Sequence, residues 1–91
     1  MEFEWDDIKA SSNLSKHGVR FTEAMTVFGD PFEVTIPDPA HSESELRYIS
    51  IGRSEGGRLL TVAYTERDGG IRIISAREAA SKERRQYEST N

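Results

Sequence analysis

Two glycine pairs set the layout of the second half of this chain. Glu55-Gly56-Gly57 and Asp68-Gly69-Gly70 each interrupt a run rich in β-branched and aromatic residues. Glycine accepts the positive φ that tight reversals demand. Three strands are therefore expected in succession as a meander, at about 46–53, 59–66 and 71–76. The stretch from Leu59 to Tyr64 is nearly continuous in apolar and β-forming residues, which marks a strand covered on both sides and hence a central one. Upstream, Phe32, Val34 and Ile36 alternate with Glu33 and Thr35 before Pro37-Asp38-Pro39. That pattern is a fourth strand with a firm stop, followed by an acidic loop from Asp38 to Glu45.

The first half is helical. Phe3 and Trp5 alternate with Glu2, Glu4 and Asp6, as in a short half-buried strand. Asp6 or Asp7 can then cap a helix to about His17, with Gly18 placed to end it. Lys9, Asn13, Lys16 and His17 fall at i, i+4, i+7 and i+8, so one face of that helix is a polar stripe. Phe21, Ala24, Met25 and Phe28 form the apolar face of a second helix that Gly29-Asp30-Pro31 stops, with Thr22 as its cap. At the far end, Ser75 and Glu78 stand in the S-x-x-E relation of a capping box and predict a third helix over about 76–88. Its only apolar residues are Ala76, Ala79, Ala80 and Tyr87. Such a face docks weakly, so this helix reads either as a mobile or partner-completed element or as a frayed one with a solvated charged surface.

Ninety-one residues suffice for one domain with a modest core, residues 1–91. With no cysteine, disulfides and thiolate metal sites are excluded, and two histidines are too few for a structural zinc site. Asp30 and Asp38 lie beside prolines and read as turn formers rather than magnesium ligands, so no metal and no cofactor is expected. The acidic N-terminus lacks the order of a secretory signal, and no apolar run approaches the roughly 20 residues of a membrane span. A cytoplasmic location and no membrane partner are the corresponding expectations. The net charge is −4, but residues 1–46 hold 3 Lys/Arg against 10 Asp/Glu, whereas residues 47–91 hold 9 against 6. The second half can therefore present a positive surface to an anion, although an ordinary mixed surface has the same counts.

Several short blocks, in this order and spacing, resemble the BrnT toxins of bacterial type II toxin–antitoxin systems. They are Phe3-Glu4-Trp5-Asp6 with Lys9 and Asn13, then Lys16-His17-Gly18-Val19 with Phe21, Glu23 and Ala24, and Val27-Phe28-Gly29-Asp30-Pro31. Thr65-Glu66-Arg67, Arg72-Ile73-Ile74-Ser75-Ala76-Arg77, Glu83-Arg84-Arg85 and Tyr87 complete the pattern. The resemblance implies a RelE-like fold and a ribonuclease activity that halts translation. It also implies neutralisation by BrnA, an antitoxin with a ribbon-helix-helix DNA-binding domain, in assemblies of two toxins with two antitoxins. DNA would then be met only through the antitoxin.

Metal-free RNA cleavage needs a group to take the 2′-hydroxyl proton, cations for the crowded phosphorane and an acid for the departing 5′-oxygen. His17 is the histidine within the matched blocks, and histidine ordinarily titrates near neutrality. Arg67 and Arg77 flank the last hairpin strand with Arg72 between them, and guanidinium groups can clamp a phosphate through paired hydrogen bonds. Lys9 and Tyr87 are reserve proton donors, and Lys16, Arg84 and Arg85 join Arg72 as RNA-binding candidates. Plainer roles compete for each residue. His17 also complements a helix C-terminus, Arg67 decorates a turn, Arg72 suits a salt bridge within the sheet, Lys9 and Asn13 suit capping or bridging the sheet, and Arg77 and Arg84, at i and i+7, equally suit an acidic antitoxin surface. His41, in the acidic loop, reads as solvent-exposed.

The sequence thus predicts an α+β domain, with two N-terminal helices on one face of a mainly antiparallel sheet and a C-terminal helix beyond the last strand. The function it favours is an endoribonuclease toxin acting on RNA without metal. The rival is a non-catalytic interaction module or transcriptional co-repressor.

Overall fold

The computed structural model describes residues 1–39 and 45–91; the expected exposure of His41 and most of the acidic loop lie outside them. Five strands form one mixed sheet in the order β1-β5-β4-β3-β2. They are β1 (Phe3–Glu4), β2 (Val34–Pro37), β3 (Arg47–Arg53), β4 (Leu59–Arg67) and β5 (Gly70–Glu78). The last four make three antiparallel pairings, and β1 joins β5 in parallel through Phe3 opposite Ile71 and Glu4 opposite Arg72. β4 is the middle strand, as its uninterrupted apolar run requires. Both glycine turns reverse the chain, with Gly57 at φ 87° and Gly69 at φ 80°.

Helix α1 (Asp7–His17) has the expected caps. Asp6 Oδ2 accepts from the Lys9 N–H at 2.9 Å, and Gly18 closes the helix at φ 69°. The second helix is shorter than the periodicity suggests. A single α-helical turn, α2 (Phe21–Ala24), gives way to a 3-10 helix over Met25–Gly29. Arg20, not Thr22, occupies the N-cap and makes no side-chain cap. Phe32 belongs to the turn before β2 and is exposed, because Asp30 Oδ1 takes its N–H at 2.9 Å.

The main core lies on one face of the sheet. Val19, Phe21, Ala24 and Val27 pack on Leu60, Val62, Tyr64, Ile71, Ile73 and Ala76, all buried. Phe28 sits 5.0 Å from Tyr64 and 5.5 Å from Phe3, centroid to centroid, joining the 3-10 helix to two strands, β4 and β1. Helix α1 contributes little apolar surface; its one buried residue is Asn13.

The last helix departs most from the expectation. Strand β5 runs through Ser75 and on to Glu78, pairing Arg77 with Thr61 and Glu78 with Leu60, and α3 starts only at Ser81. A cap is worth about 1 kcal/mol, whereas continuing the strand pairs a further three residues with the buried middle strand. The glutamate that serves the helix start is Glu83, whose Oε1 accepts from the Ala80 N–H at 2.8 Å. The helix is also better anchored than its composition suggests. Tyr87 is buried against Ile51 and Leu59 on the second sheet face, with Val34, Ile49 and Ala79 around them. Its hydroxyl donates to Asp30 Oδ2 at 2.7 Å, and Asn91 Nδ2 donates to the Phe32 carbonyl at 3.0 Å.

One irregularity governs what β5 presents. Tyr64 pairs with Ile73 but Ala63 pairs with Ser75, so Ile74 is an extra residue in β5. Such a bulge shifts the in-out alternation by one. Ile71 and Ile73 before it, and Ala76 after it, all reach the same core. Arg72, Ser75 and Arg77 therefore share the opposite face. No helix among the described residues is long and apolar enough to cross a membrane.

Candidate active site

Opposite residues in a ladder point to the same side of a sheet. Applied to the observed register, this rule puts Arg47, Arg53, Arg67, Arg72 and Arg77, all the strand arginines, on the face away from the main core. Helix α3 covers the half of that face holding Arg53 and Arg77. The other half carries Arg47, Thr65 and Arg72 side by side across three adjacent strands.

That row is chemically organised. Glu4, opposite Arg72, lies 3.7 Å from its guanidinium, and Asp38 lies 4.0 Å from Arg47 Nε. Between the two arginines is Thr65, 5% exposed, whose buried hydroxyl has no hydrogen-bond partner. A buried polar group without a partner costs about 1–3 kcal/mol, a cost that this position carries. One step further, Arg67 grips Glu45 through two hydrogen bonds of 2.8 and 2.6 Å. Those bonds hold the Glu45 carboxyl below its ordinary pKa and raise that of Arg67. Two partly exposed guanidinium groups, each beside a carboxylate, thus flank an enclosed hydroxyl, and guanidinium groups so spaced are the residue type that suits a phosphate.

At the far end of the face, Arg77 is engaged by Glu83 through two 2.7 Å hydrogen bonds. The same carboxylate accepts from Thr61 Oγ1 at 3.1 Å and from the Ala80 N–H. The Arg77 bonds, more than any other contact, keep the pKa of Glu83 below the ordinary value. Arg67 pairs with Gly70 and Arg77 with Thr61, a separation of six residues along β4, or about 20 Å. The two arginines therefore cannot clamp one phosphate together. Nor do Arg77 and Arg84 share a helix face, because Arg77 lies in the strand.

Tyr87 is tied into the fold. Burial and the Asp30 carboxylate both push its pKa up, and the Arg53 guanidinium lies 6.0 Å from its ring centroid. Asp30 is unfavourably desolvated, yet donation from the N–H groups of Arg53 and Phe32 and from Tyr87 outweighs burial and lowers its pKa. A further ion pair, absent from the sequence reading, joins Glu23 to Arg58 beneath the β3–β4 turn, with Ser54 Oγ also donating to Glu23 at 2.7 Å. Arg58 Nη2 reaches the Gly18 carbonyl at 3.1 Å.

The polar stripe of α1 meets the sheet at the free edge of β5. Lys9, Ser12, Asn13, Lys16 and His17 line a groove of about 180 Å³ with Ile74 and Ser75. No carboxylate among the described residues lines it. Lys9, Lys16 and His17 form no ion pair among the described residues, and Arg84 and Arg85 are exposed on α3. No group of three or more His, Asp or Glu side chains is arranged to hold a metal among the described residues.

Arg47 was not singled out in the sequence, and Thr65 was named there only within the matched block Thr65-Glu66-Arg67, not as a site residue. A signal was present. The Asp68-Gly69 turn sets Arg67 against Gly70 and hence Thr65 against Arg72, and Arg47 shares the parity of Ile49 and Ile51.

Residues 5–83 match the family described as ribonuclease toxin, BrnT, of type II toxin–antitoxin systems. The chain belongs to the BrnT family. It is accordingly a ribonuclease toxin with an antitoxin as partner. The fold agrees with the crystal structure of the Brucella abortus ribonuclease toxin BrnT, at a TM-score of 0.70 and 23% identity. That alignment covers 89% of this chain and 99% of the Brucella BrnT chain. No curated protein matches the chain.

Proposed function

We propose that this BrnT-family chain is a single-domain, RelE-like endoribonuclease that cleaves RNA without a metal ion and thereby stops translation. The observation that carries this reading is the unpartnered Thr65 hydroxyl between Arg47 and Arg72. In the proposed reaction the scissile phosphate lies on this row, where the two guanidinium groups offset the charge that builds on the phosphorane. The 2′-oxygen attacks phosphorus, its proton passes to a base, and the 5′-oxygen leaves with a proton, giving a 2′,3′-cyclic phosphate and a 5′-hydroxyl.

Proton transfer is assigned to His17 and Lys9 at the β5 edge, with Lys16 holding a neighbouring phosphate. Arg67 extends the RNA contact at one end, and Arg84 and Arg85 steer RNA from α3. Tyr87, whose hydroxyl Asp30 holds, is assigned to anchoring α3, and Arg77 to the Glu83 pair. The partner is proposed to be a BrnA-like ribbon-helix-helix antitoxin in a two-plus-two assembly, through which alone DNA is contacted, in the cytoplasm.

The test is to incubate antitoxin-free protein with a defined RNA in EDTA and identify the new ends. Cyclic phosphate termini, lost on Arg72→Ala, are expected. Intact RNA would sink the proposal.

A further inference from the structure

Strand β1 is too short to cover the edge of β5. It pairs only with Ile71 and Arg72, and beyond them the edge of β5 is met by α1. At that point a side chain takes the place of a strand. The Ala76 N–H donates to Asn13 Oδ1 at 3.0 Å, and Asn13 Nδ2 donates to the Ala76 carbonyl at 2.8 Å. The second Nδ2 bond goes to the Val19 carbonyl at 2.9 Å. Asn13 is 5% exposed and satisfies three backbone groups from β5 and the segment after α1.

These bonds fix α1 both along its axis and in rotation. A helix packed only by apolar contacts can slide or roll at small cost; one whose amide is paired with a given strand residue cannot. Lys9, Lys16 and His17 lie on the same helix face as Asn13 and line the same groove, so whatever sets Asn13 sets them. Ser75, on the floor of that groove, lies on the arginine face of the sheet.

We propose that Asn13 is the positioning residue of the ribonuclease, holding the cationic stripe of α1 at the edge of the arginine face so that Lys9 and Lys16 meet RNA phosphates. The inference rests on the reading of the site given above. Asn13 itself touches no substrate.

The test is a double-mutant cycle on binding of an uncleavable RNA, 2′-deoxy at the scissile nucleotide, at low salt. Asn13→Gln keeps the charge and the amide but lengthens the arm by one methylene. It is expected to weaken binding about tenfold in the natural background and no more than twofold when Lys9→Ala and Lys16→Ala are also present, since coupled residues lose additivity. Equal factors in both backgrounds mean that Asn13 supports only the fold, and no loss in the natural background means that the stripe needs no register; either overturns the inference. Asn13→Ser, also neutral, provides the cycle if the glutamine variant does not fold. Absence of RNA binding by the natural protein overturns the site reading and this inference together, an outcome distinct from the other two.

Discussion

Tyr87 donates its hydroxyl to Asp30 Oδ2 at 2.7 Å, joining α3 to the turn before β2 across 57 residues. The contact explains how a helix with almost no apolar residues stays on the sheet. Tyr87→Phe keeps the ring beneath Arg53 and removes only this bond. A hydrogen bond to a charged acceptor is worth about 1.5–3 kcal/mol, and partial exposure of Asp30 places the expected loss near the lower value. Urea unfolding should register it while RNA cleavage by the folded variant stays unchanged. Loss of cleavage at unaltered stability would instead put the hydroxyl in the chemistry.

Acid should destabilise this protein through particular carboxylates. Glu23 is lowered chiefly by its hydrogen bonds from Arg58, Glu83 chiefly by those from Arg77, and Asp30 by its donors despite its burial. A carboxyl whose folded pKa is depressed contributes stability that is complete above its unfolded value and lost as pH falls through the folded one. Stability is therefore expected to begin falling near the ordinary values of 4.5 for glutamate and 3.8 for aspartate and to keep falling below them. Glu23→Gln should cost about 1–2 kcal/mol at neutral pH, after allowance for the partial exposure of Arg58, and should flatten the acid limb. Urea midpoints from pH 7 to pH 3 provide the check.

Thr65→Val exchanges a buried hydroxyl without a partner for a methyl of the same shape. The folded protein should gain up to about 1 kcal/mol, and RNA affinity should fall. A variant that is both more stable and less active is a signature of a binding role, because damage to packing lowers both. Arg72→Ala should in addition reduce the slope of log affinity against log salt by about 0.7, the value for one phosphate contact on a single strand. An unchanged slope would remove Arg72 from the phosphate site.

Gly52 is demanded by space rather than by backbone angle. A Cβ there would stand 2.9 Å from Val27 Cγ1 and 3.3 Å from Asp30 Oδ2, between the 3-10 helix and the carboxylate that anchors Tyr87. Gly52→Ala is expected to cost about 1–3 kcal/mol, as overpacking in a close-packed core does. Gly29→Ala, with nothing within 4 Å, is its control. Thermal unfolding of the two variants distinguishes them.

The meander, the central strand and α1 with both caps were legible because glycine turns, an apolar run and Asp6 with Gly18 are each local signals. The end of β5 was not. Ser75 and Glu78 satisfy the capping pattern, but pairing of Thr61 with Arg77 outweighs it, and that partner lies outside any short window. The candidate site was legible in part for the same reason. Arg67 and Arg72 stand beside a turn that fixes their register, whereas the place of Arg47 depends on a third strand and the tie between Asn13 and Ala76 spans 63 residues. Pairing of Arg77 with Glu83 is likewise a property of the assembled sheet and helix.

The extra residue at Ile74 gives the end of the chain something like a reading frame. Substitution there alters one side chain, and deleting it would leave a regular ladder with Ser75 still opposite Ala63, Ala76 opposite Val62 and Arg77 opposite Thr61. One residue more would instead need a second bulge, or would turn Ser75 and Arg77 toward the core and Ala76 away from it. Length is therefore free to vary in one direction only, and relatives that keep the arginine face should carry between Arg72 and Arg77 either this count of residues or one fewer.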